Sequence, residues 1–188
     1  GEAEYLDFAQ RPAEQDTASS ATLAQMTHPA PADGLGTLRW SRFQDRIRQQ
    51  RSPDDTRTRR DRVEWQVDLP VTARHTVTAG VLHEREDVEA RSFGTTYDTV
   101  TNRRAVYLQD QLRVGSHRLL GAVRHAHHDG FGDHMTWEAA YGYRWAGHTR
   151  VDLFAGTAFR APDATDRFGF GGNPDLAPET SRQWGLAA

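Results

Sequence analysis

Phe159-Arg160-Ala161-Pro162 opens, and Gly171-Gly172-Asn173-Pro174-Asp175-Leu176-Ala177-Pro178-Glu179-Thr180-Ser181 closes, the stretch that decides how this 188-residue sequence is read. An alternating strand runs into Phe159, and Arg160-Ala161-Pro162 stops it. A loop rich in glycine and aspartate follows, and two prolines bracket the re-entry into another strand. Each proline restricts the residue before it to extended backbone, which fixes Asn173 and Ala177. Gly171-Gly172 permits positive φ between them. The sequence here spells a long, shaped loop joining two strands.

Working outward, the strongest strand pattern is Met135 to Trp145. Met135, Trp137, Ala139, Tyr141, Tyr143 and Trp145 alternate with Thr136, Glu138, Ala140, Gly142 and Arg144, and a period of two over eleven residues is a strand. Aromatic residues at both ends of an apolar face suit a strand that crosses a bilayer, with rings in lipid and polar tips at the headgroups. A strand of a soluble sandwich with one wet face has the same alternation, so neighbouring segments must decide. Val63, Trp65, Val67 and Leu69 alternate with Arg62, Glu64, Gln66 and Asp68. Val106, Leu108, Leu112 and Val114 share a face that Asp110 interrupts, and Val151, Leu153, Ala155 and Thr157 repeat the pattern. Val77, Ala79 and Val81 alternate with Thr76, Thr78 and Gly80, whereas Leu38–Arg48 and Arg118–His127 are strand-like but less regular.

The connections differ systematically in length. Turn-like links are expected at Pro31–Gly36, Pro70–Arg74, Gly115-Ser116-His117 and Ala146-Gly147-His148. Longer polar links are expected at Arg11–Ser20, Gln49–Thr58, Glu86–Asn102, His127–His134 and Arg160–Glu179, with Ala21–His28 a strand between the Arg11–Ser20 loop and the Pro31–Gly36 turn. Short turns at one end and long loops at the other are the outer-membrane barrel arrangement. The expectation is an all-β, antiparallel up-and-down meander of about ten strands, with no helix of useful length.

Composition narrows the function classes. The chain has no lysine and carries a net charge of -3, which argues against a phosphate-backbone surface and hence against nucleic acid. No cysteine is present, which excludes disulfide frameworks, thiolate zinc sites and cysteine nucleophiles. Gly1-Glu2-Ala3-Glu4 is acidic where a secretory signal is basic, and the longest uncharged run, Thr17 to Ala32, is polar and broken by Pro29 and Pro31. A mean hydropathy of -0.77 disfavours a membrane helix but is compatible with a barrel, where only alternate residues face lipid.

The Arg160–Ser181 stretch resembles the FRAP…GNPxLxPExS signature of TonB-dependent outer-membrane receptors. Phe168-Gly169-Phe170 before Gly172-Asn173-Pro174 makes it most similar to the vitamin B12 (cobalamin) transporter branch. The resemblance implies a mid-barrel piece, residues 1–188, of a larger barrel of about 22 strands around a plug. The plug domain and the C-terminal strands are expected to lie outside it. It further implies bacterial outer-membrane localisation, contact with outer-membrane lipid, and ligand uptake energised by a TonB-type energy-coupling protein acting on the plug. The ligand implied is a corrinoid or another metal chelate, and no cofactor is implied. An iron-siderophore receptor of the same superfamily, or a soluble β-rich binding module, remain as alternatives.

Thr56, Tyr97, Phe168 and Phe170 are the candidate ligand contacts, all on expected external loops. Exposed aromatics on a long loop can pack on an apolar ligand face. Arg160, Pro162, Gly172, Asn173, Pro174, Pro178, Glu179 and Ser181 are candidate scaffold residues, with Glu179 and Ser181 expected to hydrogen-bond the loop to its neighbours. His125 and His127 share a strand face beside His128, His134, Asp129 and Asp133, a spacing compatible with a transition metal but also with an ordinary polar loop. Asp54-Asp55 and Asp163/Asp166 are weak calcium candidates, and no EF-hand pattern is present. No metal site is assigned. The sequence holds no nucleophile elbow, no Walker lysine and no His-Glu-x-x-His, so no catalytic residue is assigned and no enzymatic activity is expected.

Overall fold

The computed structural model describes residues 14–50, 52–145 and 149–188. They form one nine-stranded antiparallel sheet in strict sequence order: β1 (Gln15–Ala30), β2 (Gly34–Gln49), β3 (Asp55–Thr72), β4 (His75–Ser92), β5 (Thr95–Val114), β6 (His117–His128), β7 (Gly132–Arg144), β8 (Arg150–Arg160) and β9 (Glu179–Ala187). Every neighbouring pair is antiparallel, so the meander expected from the sequence is present, with nine strands among the described residues where about ten were expected. No helix among the described residues is long and apolar enough to cross a membrane, which leaves spanning by strands untouched.

Alternation sorts the side chains onto two faces, and the register aligns those faces across the sheet. Leu38, Trp65, Val81 and Val106 lie opposite one another in a single cross-strand row. That row continues through His125 to Met135, so Trp137, Tyr141 and Trp145 share its face. Trp65, Trp137 and Trp145 are 44%, 47% and 64% exposed. Uncovered aromatic rings along one face are the pattern that the lipid-facing side of a barrel requires.

Every buried residue of β4 and β5 lies on the opposite face. Leu82, Val88 and Ala90 are even-numbered positions of β4, Ala105 is the cross-strand partner of Leu82, and Thr37, Thr78 and Glu84 join them. The sheet curls around this face, which is the lumen side. Its wall is polar and mutually satisfied. Glu64 receives Arg62 at 3.1 Å and Arg39 at 3.9 Å, and Glu84 receives both Arg103 and Arg60. Tyr107 reaches from β5 across β4 to Glu64 and Gln66, at 3.0 and 3.1 Å. Gly80 lies between, and any Cβ there would meet the Tyr107 ring, so glycine makes the crossing possible.

The turn end of the sheet holds the links at Ala30–Gly34, 73–74 and 115–116; the expected turn at Ala146-Gly147-His148 lies outside the described residues. Ala32 and Asp33 take positive φ, and Gly34 N donates to Pro31 O at 3.1 Å to close the first turn.

Four expectations require correction. The longer link expected over His127–His134 is a turn of only three residues, 129–131. The link expected over Glu86–Asn102 is not a loop: β4 continues to Ser92, β5 starts at Thr95, and Phe93 (φ 48) and Gly94 (φ 85) form a two-residue tip. Positive φ at both central positions is what a tight hairpin with right-handed strand twist requires. The external loop expected over Arg11–Ser20 is strand from Gln15 onward, paired with β2 as far as Gln49, and its first three residues lie outside the described ones. The long link before Glu179 contains a short helix, α1 (Ala164–Phe168). Strands of 18 and 20 residues exceed the roughly 9–11 needed to span a bilayer, so β3, β4 and β5 project well past the apolar band.

Candidate functional site

The loop end gathers the tip Phe93-Gly94, the β2–β3 link, the β6–β7 turn and residues 161–178. The last of these is built from the inside. Asp163 caps α1: its carboxylate accepts Asp166 N at 2.8 Å, and the Asp166 carboxylate accepts Asp163 N at 3.2 Å. That reciprocal box satisfies two helix-end donors, and it commits both carboxylates weighed above for calcium. The Gly-Asn-Pro segment docks on the far end of α1, with Gly172 N donating to Gly169 O at 2.9 Å and Asn173 N to Asp166 O at 3.0 Å. A Cβ on Gly172 would lie 2.9–3.0 Å from the Arg167 and Asp166 backbone, so only glycine fits. Asn173 Oδ1 accepts Asp175 N at 3.0 Å, and Pro174 O accepts Arg167 Nε at 3.3 Å.

At the base of the loop, Arg160 and Glu179 are register partners with an ion pair at 3.6 Å. Both are more than two-thirds exposed, so the pair contributes about 0–1 kcal/mol. Pro162 and Pro178 flank the loop just inside this pair. Ser181 departs from expectation: it pairs with Ala158 in the ladder, and its hydroxyl makes no hydrogen bond among the described residues. The ladder already satisfies its backbone, and its exposed side chain is left to solvent.

The loop then lies back against the hairpin tip and the β6–β7 turn. Tyr97 Oη is 3.0 Å from Thr165 Oγ1, and its ring centroid is 6.3 Å from that of Phe168. Phe170 packs at 5.6 Å on Phe93. The Arg167 guanidinium lies over Phe168 at 4.7 Å and over Phe131 at 5.0 Å, both within cation–π range. Thr56, Ala90 and Tyr97 occupy one cross-strand row on the lumen face, with the small Ala90 between the other two. Thr56 and Tyr97 are thus two strand spacings apart, about 10 Å.

The four candidate ligand contacts therefore converge on one end of the lumen, opposite Pro70 and Gly115. Their states differ: Phe168 is half-buried between Tyr97 and Arg167, whereas Phe170 is 70% exposed. Phe93, Phe131 and Arg167 complete the cluster and escaped the sequence reading. Nothing local marks them, because only the fold brings positions 93, 131 and 167 together.

Neighbouring carboxylates are already engaged. Asp54 Oδ1 accepts Phe93 N at 3.0 Å, tying the β2–β3 link to the hairpin tip, and Asp55 pairs with Arg46 at 2.5 Å. Asp129 Oδ2 accepts the Asn102 side-chain and backbone N–H groups at 2.8 and 3.1 Å, which hold its carboxyl below the usual carboxylate range. His125 and His127 face away from the lumen, with Nε2 and Nδ1 at 3.8 and 3.0 Å from Asp133 Oδ1. Among the described residues no three His, Cys, Asp or Glu side chains form a group able to hold a metal ion.

Residues 5–188 match the family described as TonB dependent receptor-like, beta-barrel. Among solved structures, the siderophore receptor PirA from Pseudomonas aeruginosa superposes with a TM-score of 0.78 at 17% identity, over 92% of this chain and 36% of that one. The siderophore receptor PirA from Acinetobacter baumannii superposes with a TM-score of 0.72 at 13% identity, over 94% of this chain and 33% of its own. The copper transporter OprC aligns with a TM-score of 0.50 at 14% identity, over 97% of this chain and 44% of its own. This chain thus spans about a third of the length of the two siderophore receptors.

Proposed function

This chain belongs to the TonB dependent receptor-like β-barrel family, and from that membership we propose that its parent protein is an active-transport receptor of the bacterial outer membrane. Residues 1–188 supply part of its barrel, and the plug and remaining strands belong to the rest of the parent. The receptor holds a scarce metal chelate at its loop end and imports it with energy from a TonB-type partner acting through the plug. The observation that carries this reading is the convergence of Tyr97, Phe168 and Phe170 at the loop end of a polar, ion-paired lumen wall. Aromatic faces above a polar channel suit a ligand that is large, partly apolar and released inward. The barrel strands do no chemistry; they satisfy their own backbone groups in lipid and position the loops.

Within this class, the corrinoid reading rests on Phe168-Gly169-Phe170 ahead of Gly172-Asn173-Pro174 and on the exposed Phe170. The iron-siderophore reading is favoured by Arg167, a cation held between Phe131 and Phe168 where an anionic aromatic chelate would find both partners. Equilibrium binding of cyanocobalamin and of an iron-loaded catecholate siderophore to the detergent-purified parent separates them. Saturable binding of the first alone supports the corrinoid reading, and binding of the second alone replaces it with the siderophore reading. Binding of neither removes the metal-chelate assignment.

A further inference from the structure

A second recognition site lies on the opposite face of the same sheet, away from the lumen and the mouth. His83, Arg104 and His127 are direct cross-strand partners on β4, β5 and β6, so they form one row on the outer face. Trp65, Val81 and Val106 occupy the next row toward the turn end. Between these two rows is a shallow depression of about 490 Å³, lined by these six side chains together with Val63 in the upper row and His125 in the lower. Its lower row is therefore mainly apolar and its upper row mainly basic.

Arg104 stands out among the outer-face arginines near it. Arg42 and Arg59 pair with Asp61 at 2.7 and 2.8 Å, and Arg85 pairs with Asp87 at 2.9 Å. Arg104 is exposed and has no hydrogen-bonded or ion-paired partner among the described residues, and neither does His83. Asp61 and Asp87 are engaged by those arginines and Asp133 by His127, while Asp129 is hydrogen-bonded by Asn102 and its charge acts on Arg104 and His127 without an ion pair to Arg104. A cation on the lipid face costs stability in proportion to its depth. Arg104 sits one row above the apolar band, at the level where a lipid headgroup meets its acyl chains.

We propose that the outer-face depression bounded by His83, Arg104 and His127 is a binding site for a phosphate-bearing lipid of the outer leaflet. The phosphate lies on Arg104 between the two imidazoles, and an acyl chain fills the groove over Trp65, Val81 and Val106. Guanidinium suits this task because its planar fork presents paired donors to phosphate oxygens. The occupant is a lipid and not free phosphate, because half of the lining is apolar and offers nothing to an inorganic anion. The site rests on the outer-membrane placement proposed above and is independent of which ligand the mouth takes.

The test uses the intact parent receptor in phosphatidylcholine nanodiscs doped with diphosphoryl lipid A, with retained lipid counted by native mass spectrometry after mild detergent transfer. The wild-type receptor should retain diphosphoryl lipid A, and Arg104→Gln should lower occupancy about tenfold. The fully dephosphorylated lipid should not be retained, and millimolar inorganic phosphate should not displace the bound lipid. Folding is checked by heat-modifiable electrophoretic mobility. If Arg104→Gln does not fold, Val81→Trp, which fills the groove without touching the cations, should produce the same loss. Equal retention by the wild type and a folded variant overturns the proposal. Displacement by inorganic phosphate overturns the lipid assignment. Ligand uptake at the mouth should be unchanged in Arg104→Gln, so failure of this site is distinguishable from failure of the transport reading.

Discussion

Tyr97 Oη and Thr165 Oγ1, 68 positions apart in the chain, lie 3.0 Å from each other and join the β4–β5 hairpin to the loop that closes over the lumen. One hydroxyl contact, backed by the Tyr97–Phe168 and Phe93–Phe170 ring contacts, joins two elements that share no strand pairing. Tyr97→Phe removes the hydroxyl and keeps the ring. The expected loss is about 0.5–1.5 kcal/mol of docking, seen as faster limited proteolysis within residues 161–178 of the intact parent and an unchanged thermal midpoint for the barrel. Unchanged proteolysis would show that ring packing alone holds the loop.

Gly172 is the point at which the Gly-Asn-Pro segment touches α1. Gly172→Ala places a methyl group 2.9–3.0 Å from the Arg167 and Asp166 backbone, where no flexible side chain can yield. Overpacking of this kind costs about 1–3 kcal/mol. The expected result is undocking of residues 169–175, read as faster amide exchange at Asn173, whose N–H now bonds Asp166 O. The barrel strands should keep their protection.

Consecutive residues of β5 test the assignment of faces. Leu108 lies between Ala79 and Val123 on the outer face, whereas Gln109 lies between Thr78 and Ala122 on the lumen face. Leu108→Arg puts a charge into lipid at a cost of about 2–4 kcal/mol near the midplane, and Gln109→Arg should cost far less because it joins a wall already rich in arginine. Folding yields of the two variants into dilauroyl lipid vesicles compare them directly. Equal yields would mean that the register is wrong by one residue.

How much of this was legible in the sequence depended on whether the two sides of a strand meet different solvents. Where one side meets lipid, as for Trp137 and Tyr141, the period of two is plain and the strand reads correctly. Beyond the apolar band both sides are wet, and the alternation disappears although the ladder continues. Glu84-Arg85-Glu86-Asp87 looks like a charged loop, yet Glu86 pairs inward with Arg60 while Arg85 and Asp87 pair with each other outside. Thr17-Ala18-Ser19-Ser20 is silent for the same reason, being small and polar on both faces. The surviving signals there were β-branched residues along Thr95–Thr101 and the Phe93-Gly94 tip. α1 is too short for helical periodicity to register, though Asp163 and Asp166 stand at capping-box spacing. The mouth was half legible: loop aromatics could be named, but not that Arg167 would sit between Phe131 and Phe168.

Asp129 gives a pH prediction outside the membrane-spanning strands. Its folded value is depressed below 3.8 by the Asn102 side chain first and the Asn102 backbone N–H second. A depressed carboxylate contributes its full stabilisation above the unfolded value and loses it as pH falls through the lower folded value. The carboxyl ¹³C shift of Asp129 in the labelled parent should therefore show its inflection below 3.8, and Asn102→Ala should move that inflection upward. An inflection at or above 3.8 in the wild type would contradict the geometry at this turn.

The closing prediction concerns ligand contact at the mouth. Phe168 and Phe170 carry different loads: the first is sandwiched against Tyr97 and Arg167, and the second leans on Phe93 with 70% of its surface free. Burying a ring against a ligand is worth roughly 25 cal/mol per Å², of which loop ordering returns only part as affinity. Phe168→Ala with Phe170→Ala should therefore weaken binding by about tenfold, near 1.4 kcal/mol, without preventing barrel assembly. The single variants divide the effect. Phe170→Ala should weaken binding with the loop still protected from proteolysis, because the exposed ring serves the ligand more than the fold. Phe168→Ala should loosen the loop first, since it removes the face on which Arg167 rests. Binding of cyanocobalamin or of the iron-loaded siderophore, whichever the parent takes, supplies the readout. An unchanged affinity in the double variant would assign both rings to the scaffold and move the ligand deeper, toward Thr56 and the lumen row it shares with Tyr97.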